Sequence, residues 1–109
     1  MSRKIRTIPI TIEDVSFIFN DNLDEFYFIT QNCFCLQCKK GYQSTITNYK
    51  IFLNNLFDIE LKGNCLECGH SMGRYIETGE NPKTAANAES VLKTSKALKE
   101  LKIKKKNQQ

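Results

Sequence analysis

Cysteine is the residue type in this chain whose spacing could do chemistry. Cys35-Leu36-Gln37-Cys38 and Cys65-Leu66-Glu67-Cys68 are two Cys-x-x-Cys turns separated by residues 39–64. Each turn brings two sulfurs to one side of a tight bend. Two turns supply four thiolates, enough to close a tetrahedral zinc site with Zn–S distances of ~2.3 Å. Such a site has no open coordination position, so the spacing predicts one structural Zn2+ held by Cys35, Cys38, Cys65 and Cys68. Cys33 lies two residues before the first turn, and His70 two after the second. Either could replace a neighbour as ligand. Otherwise Cys33 is a buried strand residue and His70 a polar loop residue. A redox dithiol or an iron–sulfur cluster would also use these cysteines, but strand-like flanks do not suit the βαβ setting of a redox motif.

The elements that must position these turns are short. Arg3 to Ile8 alternates loosely, and Pro9 marks an edge or a break. Val15–Phe19 and Glu25–Thr30 are rich in aromatic and β-branched residues on either side of the turn formers 20–24. This predicts a β-hairpin. A helix over 12–19, capped by Thr11 with Ile12, Val15 and Phe19 on one face, is the competing reading. The spacer predicts a strand over Ser44–Phe52, with Thr45, Thr47 and Tyr49 on one face and Ile46 on the other. A turn follows at Asn54-Asn55, and a returning strand carries Phe57, Ile59 and Leu61. Arg74 to Thr78 reads as one more strand, ended by Gly79.

Composition changes after Pro82. Residues 83–106 lack aromatics and are dominated by helix formers, with Ala88, Val91, Leu92, Ser95, Leu98 and Leu101 near one face. The division expected is a β-rich domain over 1–80 and a lysine-rich helix with a frayed end over 81–109. Charge divides at the same place: residues 1–80 carry a net −2 and residues 81–109 a net +6. A basic segment of this kind suits a polyanion.

The residues CLQC, a β excursion, CLECGH and the strand RYIETG resemble the zinc-ribbon class over roughly 31–80. The first turn departs from the pattern, with Lys39 and Lys40 before Gly41, and the spacer is longer than in many compact ribbons. Both departures leave room for a treble-clef-like variant. The resemblance implies a small mostly β zinc ribbon, here with an N-terminal β-hairpin and a basic C-terminal α-helix. It also implies work beside nucleic-acid machinery in transcription, recombination or transposition, as an accessory factor of the sort found on mobile elements.

The expectation is therefore a non-enzymatic nucleic-acid-binding protein, with DNA favoured over RNA and a larger protein partner such as a recombinase or polymerase. Phosphate contacts would come from Lys39, Lys40, Arg74, Lys93, Lys96, Lys99, Lys102, Lys104, Lys105 and Lys106. Tyr42, Tyr49 and Tyr75 could stack on bases if exposed. The alternative is a protein-binding adaptor or inhibitor that uses Val91, Leu92, Leu98 and Leu101 without touching nucleic acid. No nucleophile–base constellation or phosphate loop argues for an enzyme. No export signal or membrane-length apolar run is visible, so a reducing cytoplasm without membrane contact is the expected setting.

Overall fold

The computed structural model describes the backbone of residues 6–107 and the side chains of residues 6–95. Its centre is a four-stranded antiparallel sheet in the order β1 (Thr7–Pro9), β2 (Ile46–Asn54), β3 (Ile59–Cys65) and β4 (Ser71–Ile76). Three helices accompany it: α1 (Ile12–Ile18), α2 (Leu23–Thr30) and α3 (Pro82–Asn107).

Alternation along the strands gives the sheet two different faces. Ile8, Leu53, Ile59 and Ile76 stand opposite one another across all four strands. The last three are buried, in a core that also takes Val15, Ile18, Phe26, Ala88 and Leu92 from the helices. Phe52, Glu60 and Tyr75 form the adjacent row on the opposite, more solvated face, where the Lys62 ammonium sits 5.3 Å from the Phe52 ring centre. One packed face and one wet face are what an antiparallel sheet of this size permits. The spacer strands are present as expected, but their phase is not. The β2–β3 register shifts between Thr47 and Lys50, with Asn48 at φ +50°. This bulge brings Tyr49 to the packed side with Ile46, against Phe26, whereas strict alternation had separated them.

The expected N-terminal hairpin is not there: both of its strands are helices. A strand would have buried Val15, Phe17 and Phe19 together, but the buried set is Val15, Ile18 and Phe19, while Phe17 is exposed. In α2, Phe26 and Thr30 are buried and Phe28 is 67% exposed. Those are helical intervals. Local chemistry supports them. The Thr11 hydroxyl accepts from the Asp14 amide (3.2 Å), and the Asp14 carboxylate accepts from the Thr11 amide (3.0 Å). This reciprocal cap satisfies two orphan donors at the helix start. Asn20 and Asp21 then adopt left-handed backbone (φ +56° and +63°), turning the chain between two helices instead of two strands. The aromatic content that suggests β structure is used to fill the space between helix and sheet.

α3 begins at Pro82 as the composition predicts, with the Asn81 side chain accepting from the Lys83 amide at 3.0 Å. Its first turns belong to the core. Ala88 and Leu92 are buried, and the Asn87 amide group donates to the Phe17 and Ile18 carbonyls at 3.2 Å each. Those carbonyls end α1, where the Phe17 carbonyl also accepts the Asn20 amide at 3.2 Å.

Candidate metal centre

The sulfurs of Cys35, Cys38, Cys65 and Cys68 all lie within 4.8 Å of one another. Cys35 and Cys68 approach to 3.6 Å, and Cys38 and Cys65 to 3.7 Å. Four sulfurs around a tetrahedral zinc at ~2.3 Å would stand about 3.8 Å apart. A disulfide would need ~2.05 Å. The four cysteines thus form a possible metal site and none is paired as a disulfide. Each close approach joins one turn to the other, so an ion here would link residues 35–38 to residues 65–68.

Both turns are built alike. The Lys39 amide donates to the Cys35 carbonyl at 3.0 Å, and the Gly69 amide to the Cys65 carbonyl at 2.9 Å. The residue after the second cysteine is left-handed in each: Lys39 at φ +53° and Gly69 at φ +76°. The second turn is anchored further, since the Cys65 amide donates to the His70 carbonyl (2.8 Å) and the Leu66 amide to the Thr45 carbonyl (2.9 Å). Lys40 forms an ion pair with Glu67, which joins the turns a second time outside the sulfurs.

The thiols do not share protons evenly. Backbone amides of Cys68 and Glu67 lower Cys65 to about 6. Hydrogen bonds to Cys68 and the other sulfurs push Cys38 up to about 12. A bound ion would displace these protons, because cysteine ligates as thiolate. Cys35 and Cys65 are buried and Cys68 is exposed, so the centre lies at the edge of the core with one side open.

Cys33 and His70 stay outside the sulfur cluster. Cys33 is fully buried, and its thiol donates to the Ile29 carbonyl at 3.2 Å, closing the end of α2. Its backbone bridges to Ser44, and burial raises its pKa. His70 is exposed and contributes its carbonyl.

The expected phosphate contacts fare unevenly. Lys39 is exposed, Lys40 is engaged by Glu67, and Lys93 pairs with Glu89 at 3.0 Å. Arg74 is on the packed side of edge strand β4, opposite Leu61, and its solvent-shielded Nε has no hydrogen-bond partner among the described residues. The side chains of Lys96, Lys99, Lys102, Lys104, Lys105 and Lys106 lie outside the described residues, as do those of Leu98 and Leu101. In the described half of α3, the apolar stripe offered to a partner is turned inward: Leu92 is buried and Val91 packs against the core.

Among the tyrosines, Tyr49 is half-buried against Phe26, and Tyr75 donates its hydroxyl to Asp58 at 2.6 Å. Tyr42 is free of such ties, 64% exposed, and packs beside Phe34 with ring centres 6.0 Å apart. Phe34 and Leu36 carry no motif that marks them; the available signal is large apolar side chains flanking a metal turn with no strand or helix to bury them. Among the described residues no helix is long and apolar enough to cross a membrane. The chain matches no protein-family model, no curated protein and no solved structure.

Proposed function

We propose that this chain is a zinc-stapled, non-enzymatic accessory protein that binds nucleic acid, DNA in preference to RNA, beside a larger enzyme of transcription, recombination or transposition. The observation that carries the metal part is the set of four sulfurs at spacings suited to a tetrahedral ion. All-sulfur ligation with borderline-soft zinc is the simplest match, and four ligands leave no position for activating water. The role of the ion is to hold two loops together.

Support for nucleic acid comes from the division of charge. The first 80 residues are slightly acidic, while residues 81–109 concentrate eight lysines on a segment with two glutamates. Among the described residues of α3, Ala88 and Leu92 are committed to the core, while Lys93 is exposed. The lysine-rich remainder supplies phosphate contacts whose affinity comes from counterion release.

The test is metal analysis of protein purified without chelator, then titration of labelled duplex DNA at two salt concentrations. One zinc per chain is expected, with affinity that falls steeply as salt rises. Replacing Lys96, Lys99, Lys102, Lys104, Lys105 and Lys106 by glutamine should abolish binding while zinc content and far-UV circular dichroism stay as in the parent. If the six contact phosphate together, the log–log salt slope is about −5. A zinc-loaded chain that ignores both duplex and single-stranded DNA at low salt removes the nucleic-acid reading.

A further inference from the structure

A cavity of about 410 Å3 lies between the first cysteine turn and edge strand β4, lined by Phe34, Leu36, Tyr42, Met72, Arg74 and Tyr75 together with Ser71 and Gly73. No carboxylate lines it. The strand beside it is the last of the sheet, and none of its backbone groups bonds to a loop or side chain among the described residues. Phe34 is 42% exposed and Tyr42 64%, and they sit at the rim as an adjacent, tilted pair. Arg74 reaches this cavity from the packed side of β4, its shielded Nε–H lacking an acceptor. Exposed Lys39 follows the same cysteine turn.

We infer that this cavity is a binding site for unpaired nucleotides, with a base stacked on Tyr42 and Phe34 and the adjoining phosphate held by Arg74. The inference rests on the nucleic-acid reading above and specifies its substrate as single-stranded. Two features favour this occupant over an apolar peptide: exposed aromatic faces, which accept any base, and an arginine whose Nε–H has no acceptor among the described residues, in a wall without carboxylates. A duplex keeps its bases stacked internally and cannot offer a π-face to the rim. Tyr75 is not part of the stacking pair, because its hydroxyl is committed to Asp58 on the other side of the sheet.

The experiment measures fluorescence anisotropy of labelled oligo-dT of ten nucleotides and of a labelled 20-base-pair duplex, with full-length zinc-loaded protein. Tyr42→Ala and Phe34→Ala should each weaken oligo-dT binding roughly five- to a hundredfold, the range for losing one stacked base. Tyr42→Phe should retain most of it. Arg74→Gln should weaken oligo-dT binding and flatten its salt dependence. Duplex affinity should be unchanged in all four variants, and unaltered zinc content and melting temperature establish that each is folded. Folded alanine variants that bind oligo-dT like the parent overturn the inference. So does parent protein that binds duplex but not oligo-dT, an outcome that leaves the lysine segment as the nucleic-acid contact and the cavity to a protein ligand. Binding of neither nucleic acid at low salt ends both readings together.

Discussion

The two ends of strands β3 and β4 are held by different chemistry. At one end, the turn between them carries Cys65 and Cys68, which meet Cys35 and Cys38 from the loop after α2. At the other end no sulfur is involved. Asn54 accepts the Leu56 and Asp58 amides (2.9 and 3.1 Å) and donates to Glu60 (2.9 Å) and Tyr75 (3.0 Å). Asp58 in turn accepts from the Tyr75 hydroxyl (2.6 Å) and the Gly79 amide (2.8 Å). Both ends tie the sheet to a neighbouring connection, the first to the α2–β2 loop and the second to the β4–α3 segment. The first depends on four residues of one kind brought together from two turns. The second disperses the task over ordinary polar groups, each satisfying another's buried hydrogen-bonding capacity.

The largest effect should separate the ends completely. Chelation of a zinc-loaded sample is expected to unfold the chain, since structural zinc contributes on the order of 10 kcal/mol against a typical total stability of ~5–15 kcal/mol. Far-UV circular dichroism during titration with a strong chelator reads this directly. A chain that keeps its sheet signal without metal would show that the polar end suffices alone.

Next is Gly79→Ala. A β-carbon there would collide with the Leu56 carbonyl and sit 2.8 Å from Asp58 Oδ1. A loss of about 2–3 kcal/mol is expected by urea denaturation, as for other overpacked sites, with zinc stoichiometry unchanged. Loss of zinc along with stability would mean that the two ends are coupled.

Tyr75→Phe should cost less, about 1–2 kcal/mol, for a hydroxyl on a partly solvated ring that donates to Asp58 and accepts from Asn54. It also has a pH signature. The Asp58 bond raises the Tyr75 pKa above its usual value near 10. The bond therefore stabilises fully below pH 10 and is lost as pH rises through the higher folded value. Parent stability should fall in that alkaline window more than the phenylalanine variant's does.

The smallest effects compare the two cysteine turns. Lys39→Gly should stabilise, and Gly69→Ala destabilise, each by about 1 kcal/mol, because a β-carbon is disfavoured at positive φ. Nothing lies within 4 Å of the β-carbon position at Gly69, so the cost there is conformational. Equal midpoints for Lys39→Gly and parent in urea would mean that the lysine side chain compensates for its backbone.

These differences also explain what was legible in the sequence. The sulfur cluster could be anticipated because few arrangements bring Cys-x-x-Cys twice into one short chain, and β2, β3 and α3 followed from alternation and composition. The last strand was legible only in part, since it runs over Ser71–Ile76 and not Arg74–Thr78, with Thr78 in a 3-10 turn. The polar end could not be anticipated. Asn54, Asp58, Tyr75 and Gly79 are unremarkable singly and acquire meaning only once the β2–β3 turn lies over the β4–α3 connection. The N-terminal helices were misread for another reason. Phe17, Phe26 and Phe28 favour strands by residue type, while the outcome was set by the interval between buried positions and by the Thr11–Asp14 cap. Tyr49 changed sides because one left-handed asparagine shifted the count, a step that no alternating pattern contains.

Cys33, shut beneath the last turn of α2, has a practical consequence. Its thiol is the only one of the five outside the sulfur cluster, and fully buried. In zinc-loaded protein a thiol reagent can reach it only when its cover opens, by α2 lifting or by the bridge to Ser44 parting, so its modification rate counts those openings. The chain carries its own clock for local opening, already installed at the junction between the helical layer and the metal loop.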